Sequence, residues 1–169
     1  MDPQILDWIA PFIATHGPFP RVLELGSLNV NGTIRPAFVG TDEYVGLDQR
    51  PGDGVDLVMN AHDVEPWTRG RFDCVVASSF FEHDDRFWET LQAVRRVLRP
   101  GGWFVLTVPN HEWGYHPEPK DYYRYTDDAI REILFEGFVN VQLANPLWPT
   151  PEGMPHLKCQ NMGGWGQWP

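Results

Sequence analysis

The sequence predicts an α/β domain built on a mainly parallel sheet, and three observations carry that prediction. Strand-like apolar runs alternate with segments of helical periodicity. One of those runs, Phe72–Ala77, is the kind of continuous apolar stretch that a central strand covered on both faces requires. No linker or internal repeat divides the 169 residues, a length that suits one domain around one core.

Each element follows in order. Asp2-Pro3 reads as a helix cap and first helical position, and Ile5, Leu6, Ile9 and Ile13 form an apolar face, so residues 1–20 hold an N-terminal helix. Pro11 is expected to kink or end it early, because it lacks an amide donor. Arg21–Leu25, Glu43–Leu47, Val55–Met59 and Phe72–Ala77 are the first four strands. Asp84–Leu98 is the strongest helix, with Phe87, Trp88, Leu91, Val94 and Leu98 on one side. Asp84 and Asp85 suit its N-terminus, and Pro100-Gly101-Gly102 stops it. Trp103–Val108 is the fifth strand. Thr126 caps a helix through Phe135, with Ile130, Ile133 and Leu134 inward and Gly137 ending it. Phe138–Leu143 is the sixth strand. In the tail 145–169, rich in Pro, Gly and Trp, His156–Met162 is the candidate edge strand.

Acids outnumber bases by 23 to 13, a net charge of -10, which repels phosphate backbones and argues against a nucleic-acid partner. Arg95, Arg96 and Arg99 are the nearest to a basic patch, but they suit a helix C-terminus. No apolar run is long enough to span a bilayer, so no membrane partner is expected. The first residues lack a secretory pattern, and Cys74 falls inside a strand, so a reduced, cytoplasmic protein is expected. The histidines make no metal-ligand pattern: His111 and His116, with Glu112 and Glu118 nearby, lack the paired spacing of a zinc site, and no metal is expected.

The first strand, Arg21–Leu25, runs into Gly26-Ser27-Leu28-Asn29-Val30-Asn31-Gly32. In an open parallel sheet the ligand crevice lies beyond the carboxyl ends of the strands, where this loop falls. Gly26 allows a tight turn and close approach of a ligand. Asp48 closes the second strand roughly 20 residues on, the place of an acid that accepts hydrogen bonds from ribose hydroxyls. Leu28 stands where a dinucleotide fingerprint needs Gly, and no G-K-S/T follows, so a nucleoside ligand without phosphates gains weight.

With these residues in place, the sequence resembles the class I, Rossmann-like S-adenosylmethionine-dependent methyltransferases, in particular a small methyltransferase-11-like subset. The resemblance runs from Arg21 to about Leu143. It rests on Val22-Leu23-Glu24-Leu25-Gly26, Asp48, Asn60-Ala61-His62-Asp63, Phe72–Val76 with Ser78-Ser79-Phe80-Phe81-Glu82-His83, Leu98–Gly102 and Asp121–Thr126. Ser27, Leu28 and Asn29 depart from the family's more glycine-rich first motif. The resemblance implies a three-layer sandwich with a seven-stranded sheet whose last strand is antiparallel and comes from the tail. It also implies S-adenosyl-L-methionine as cofactor and methyl transfer to a small-molecule or sugar-linked acceptor. Open alternatives are a non-catalytic module that keeps the fold and a nucleotide-linked oxidoreductase, since a fold does not choose among them.

Candidate residues follow. Glu24, Gly26, Ser27, Asp48, Gln49, His62, Asp63, Ser78 and Ser79 are expected on the cofactor. His83, His111 and Tyr123 are candidates for catalysis, His83 as a base with an ordinary pKa near neutrality. The long aromatic segment 109–125 is the expected active-site loop, with Tyr115, His116, Tyr122 and Arg124 facing substrate. Its aromatic rings also suit cation–π cover of a sulfonium, or plain packing.

Overall fold

The structure is a computed structural model that describes residues 4–64, 69–117, 119–154 and 158–169. Seven strands form one sheet: β1 Arg21–Leu25, β2 Glu43–Asp48, β3 Leu57–Val58, β4 Phe72–Ser78, β5 Leu98–Pro109, β6 Val139–Ala144 and β7 Asn161–Gln167, in the order β3-β2-β1-β4-β5-β7-β6. The pairings from β3 to β5 are parallel, and β7 runs antiparallel to both β5 and β6.

Side chains alternate across the central strands and build two cores. On one face Cys74, Val76 and Val105 pack with Ile5, Ile9 and Phe12 of helix α1 (Gln4–His16). On the other, Val75, Ala77, Phe104 and Leu106 pack with Leu91, Ala93, Val94 and Val97 of helix α2 (Phe87–Val97). These are the three layers that the resemblance implies.

Several expectations need correction. Helix α1 runs through Pro11 to His16, because Ile5, Ile9 and Phe12 on its buried face outweigh one lost hydrogen bond. The cap proposed at Asp2-Pro3 lies outside the described residues. Helix α2 starts at Phe87; Asp84 belongs instead to the preceding turn, where its Oδ1 accepts from the Arg86 N–H. Trp88 and Ile133, expected inward, are about half exposed. The third strand is only Leu57–Val58. Thr126 does accept from the Ala129 N–H, but Ala129–Leu134 winds as a π-helix.

The last strand lies further along than expected, at Asn161–Gln167, and His156 lies outside the described residues. Its glycines have a packing reason. A Cβ on Gly163 would stand 2.3 Å from the Leu106 carbonyl oxygen, and one on Gly164 would stand 2.4 Å from that of Gln142. Only a strand without side chains there fits between β5 and β6.

Candidate functional site

Strand β1 ends in a turn that the sheet itself fixes. The N–H groups of Gly26 and Ser27 both donate to the Leu47 carbonyl of β2, at 2.8 and 3.0 Å. Gly26 takes φ +74°, and a Cβ there would meet the Phe80 ring at 2.8 Å. Gly46 of β2 lets the turn settle, since a Cβ on it would lie 2.2 Å from the Gly54 carbonyl oxygen.

Beyond this turn the carboxyl ends of β1, β2 and β4 border a cavity of about 500 Å³. Ten of the expected residues line it: Glu24, Gly26, Ser27, Asp48, Gln49, Ser78, Ser79, His83, His116 and Tyr122. Arg50, Asp84, Asp85 and Lys120 line it too and carried no site signal in the sequence, because each reads locally as a turn or helix-start residue.

Ser27 and Glu24 are the buried polar residues on the β1 side of the cavity. Ser27 Oγ is buried and finds no hydrogen-bond partner among the described residues. Glu24 is buried on β1; burial pushes its pKa up to about 7, although the Tyr44 hydroxyl donates to its Oε2 at 2.9 Å and Arg35 lies near. Arg35 stacks over the Tyr44 ring at 4.6 Å and donates to the Tyr44 carbonyl at 2.9 Å, bracing this corner. Asp48 Oδ1 accepts from the Arg50 N–H at 2.9 Å, and Oδ2 lies 3.4 Å from the Leu28 N–H, so the carboxylate keeps accepting capacity toward the cavity it lines.

The opposite wall follows β4. Ser78 Oγ and Thr107 Oγ1 are 3.1 Å apart, and Ser79 takes φ +50°. His83 sets Nδ1 against the Lys120 carbonyl oxygen. A carbonyl only accepts, so Nδ1 carries the hydrogen and Nε2 is left as the basic nitrogen. Burial holds the His83 pKa below its usual value, against the pull of that carbonyl. Behind it Glu82 is buried, its Oε1 at 3.7 Å from His83 Nε2 and its Oε2 without a partner among the described residues. Burial pushes Glu82 up to about 8.

The remaining candidates lie off the cavity wall. His62 pairs with Arg86 and lies 3.7 Å from Asp63; their neighbour Ala61 lines the cavity in their place. His111 sits at an exposed turn. Tyr115, Tyr123 and Arg124 line a separate shallow hollow. Among the described residues no cluster of His, Cys, Asp and Glu could hold a metal ion, and no helix is long and apolar enough to cross a membrane.

Sheet order and cavity together define an open α/β fold with its cavity at the carboxyl edge of the strands. Comparison with known proteins narrows the class. A methyltransferase-domain family model (Methyltransf_11) matches residues 38–106. Among solved structures, the fold is similar to the 1,6-didemethyltoxoflavin-N1-methyltransferase of Burkholderia thailandensis, solved with bound 1,6-didemethyltoxoflavin and S-adenosylhomocysteine: TM-score 0.72, 16% identity, 99% of this chain and 79% of that one. It is similar to a SAM-dependent methyltransferase of Archaeoglobus fulgidus (TM-score 0.68, 16% identity, 96% and 92% covered). It is also similar to phosphoethanolamine N-methyltransferase 2 of Haemonchus contortus (TM-score 0.66, 16% identity, 96% and 52% covered). The family-model match covers part of the chain, and the solved structures show that it shares the class I, Rossmann-like methyltransferase fold. A curated relative, alpha-2-antiplasmin of Mus musculus, is 28% identical over 123 residues; the match covers 72% of this chain and 24% of that protein's length.

Proposed function

We infer that the protein transfers a methyl group from S-adenosylmethionine to a small-molecule or sugar-linked acceptor. The observation that carries this reading is the pairing, on one cavity wall, of the Asp48 carboxylate with the Ser27 hydroxyl, which has no partner among the described residues, beside the Gly26 turn. A carboxylate at the end of β2 accepts two hydroxyl hydrogen bonds from a ribose. Ser27 and the Gly26 backbone suit the amino-acid end of the donor, and Glu24 suits its ammonium group. Gln49 and Ala61, beside His62 and Asp63, suit the base. Ser78 and Ser79 bound the space from β4.

The donor supplies a methyl group already activated by positive charge on sulfur. The chain therefore has to align the acceptor, exclude water and, where the acceptor sheds a proton, receive it. His83 Nε2 is the group suited to receive it, since Nδ1 is held by the Lys120 carbonyl and burial keeps the ring neutral. His116, with its ring centroid 5.4 Å from that of His83, and Tyr122 border the acceptor's side. Arg124 acts at one remove, by holding the loop.

Thermal-shift titration tests the reading. S-adenosylhomocysteine should raise Tm by several degrees at saturating concentration, and NAD should not. Stabilisation by NAD alone would point to the oxidoreductase alternative, and by neither to a non-catalytic fold.

A further inference from the structure

The shallow hollow beside the cavity holds about 210 Å³ and is lined by Trp113, Tyr115, Asp121, Tyr122, Tyr123 and Arg124. Tyr122 also lines the main cavity, so the two spaces adjoin at this residue. Tyr115 is 79% exposed and Tyr122 41%, an unusual amount of aromatic face to leave in water. Tyr123 is packed from behind by Phe87, with ring centroids 5.3 Å apart.

The charges in the hollow are spent on each other. Arg124 grips both oxygens of Asp121, at 2.5 and 2.6 Å, and donates to the carbonyls of Trp113, Gly114 and Tyr123. Asp121 also accepts from the His116 N–H at 2.6 Å. The pair gives the hollow its shape and leaves no net charge to attract a cation or an anion. What the hollow offers is a set of aromatic rings, of which Tyr115 and Tyr122 are the most exposed.

That surface suits a sugar. The C–H face of a pyranose stacks on an aromatic ring while its hydroxyls stay hydrated or meet the phenols. A purely apolar ligand gains less, because so open a site removes little of its surface from water. Size agrees. A cavity of about 500 Å³ holds one drug-sized molecule, so with the donor in place it has room for an acceptor's reacting end and not its bulk.

We propose that the hollow is a subsite for a neutral sugar ring of the methyl acceptor, stacked on Tyr115 and Tyr122, with the reacting atom reaching past Tyr122 into the cavity. This assignment rests on the methyl-transfer reading of that cavity.

Saturation-transfer NMR with the intact protein and a panel of methyl pyranosides (glucoside, galactoside, mannoside, rhamnoside, N-acetylglucosaminide), with phenol as the flat control, tests it. At least one glycoside should receive saturation on its ring C–H protons, with apparent affinity falling about tenfold in Tyr115→Ala. Because Tyr115 is so exposed, that variant should keep the wild-type Tm and S-adenosylhomocysteine affinity. Transfer to no glycoside, transfer unchanged in Tyr115→Ala, or transfer to phenol alone would overturn the subsite. S-adenosylhomocysteine titrated into the same samples separates the two claims. Donor binding without glycoside binding removes only the subsite; glycoside binding without donor binding removes the methyl-transfer role.

Discussion

The Tyr44 hydroxyl donates to Glu24 Oε2 at 2.9 Å, tying β1 to β2 just below the turn that enters the cavity. The bond only partly offsets burial, which leaves Glu24 at about 7 against 4.5 for a free side chain. A carboxyl whose folded pKa lies above its unfolded one stabilises the fold in its neutral form. That contribution is full below about 4.5 and is lost as pH rises through about 7. Glu24→Gln stays neutral and should gain on wild type across this window, by up to about 3 kcal/mol at pH 8. Urea denaturation at pH 4.5 and pH 8 measures it, and an equal difference at both would refute the assignment.

If Glu24 meets the donor's ammonium group, binding must ionise it. Calorimetry near pH 6.5 in buffers of different ionisation enthalpy should then show up to about one proton released per S-adenosylhomocysteine bound. Glu24→Gln should abolish that release. A binding enthalpy independent of buffer in wild type would remove Glu24 from the donor site.

The neutral state inferred for His83 has its own readout. Its imidazole should titrate below the ordinary value of 6.5 in proton NMR, with the resonance assigned by its loss in His83→Gln. Titration above 6.5 would mean a ring charged near neutrality, which could not accept a proton from the acceptor.

The turn makes a steric prediction. Gly46→Ala sets a methyl against backbone oxygen and should cost roughly 2–3 kcal/mol or more, as overpacking against atoms that cannot move does. Gly114 has nothing within 4 Å of its Cβ position, so Gly114→Ala should stay within about 0.5 kcal/mol of wild type. Equal midpoints in denaturant for the two variants would contradict the packing at Gly46.

What was legible in the sequence is what local pattern encodes. The central strands announce themselves as apolar runs because both faces are buried, and Asp48 is found by its distance from Gly26. What was hidden depends on partners far along the chain. Strand β7 has poor β-propensity and exists because its glycines fit between β5 and β6. Pro11 sits in a helix because tertiary packing holds it there. Arg124 read as a substrate ligand, yet its donors are taken up within the loop, which no spacing rule reveals. Lys120 enters the cavity wall only because its carbonyl meets His83 across the fold.

Isothermal calorimetry with S-adenosylhomocysteine, on wild type and Asp48→Ala, tests the central claim most directly. The account predicts saturable one-to-one binding to wild type. Affinity should fall about 10- to 100-fold in Asp48→Ala, the loss expected when hydroxyls no longer have a charged acceptor. No saturable binding, or the same affinity in both proteins, would contradict it.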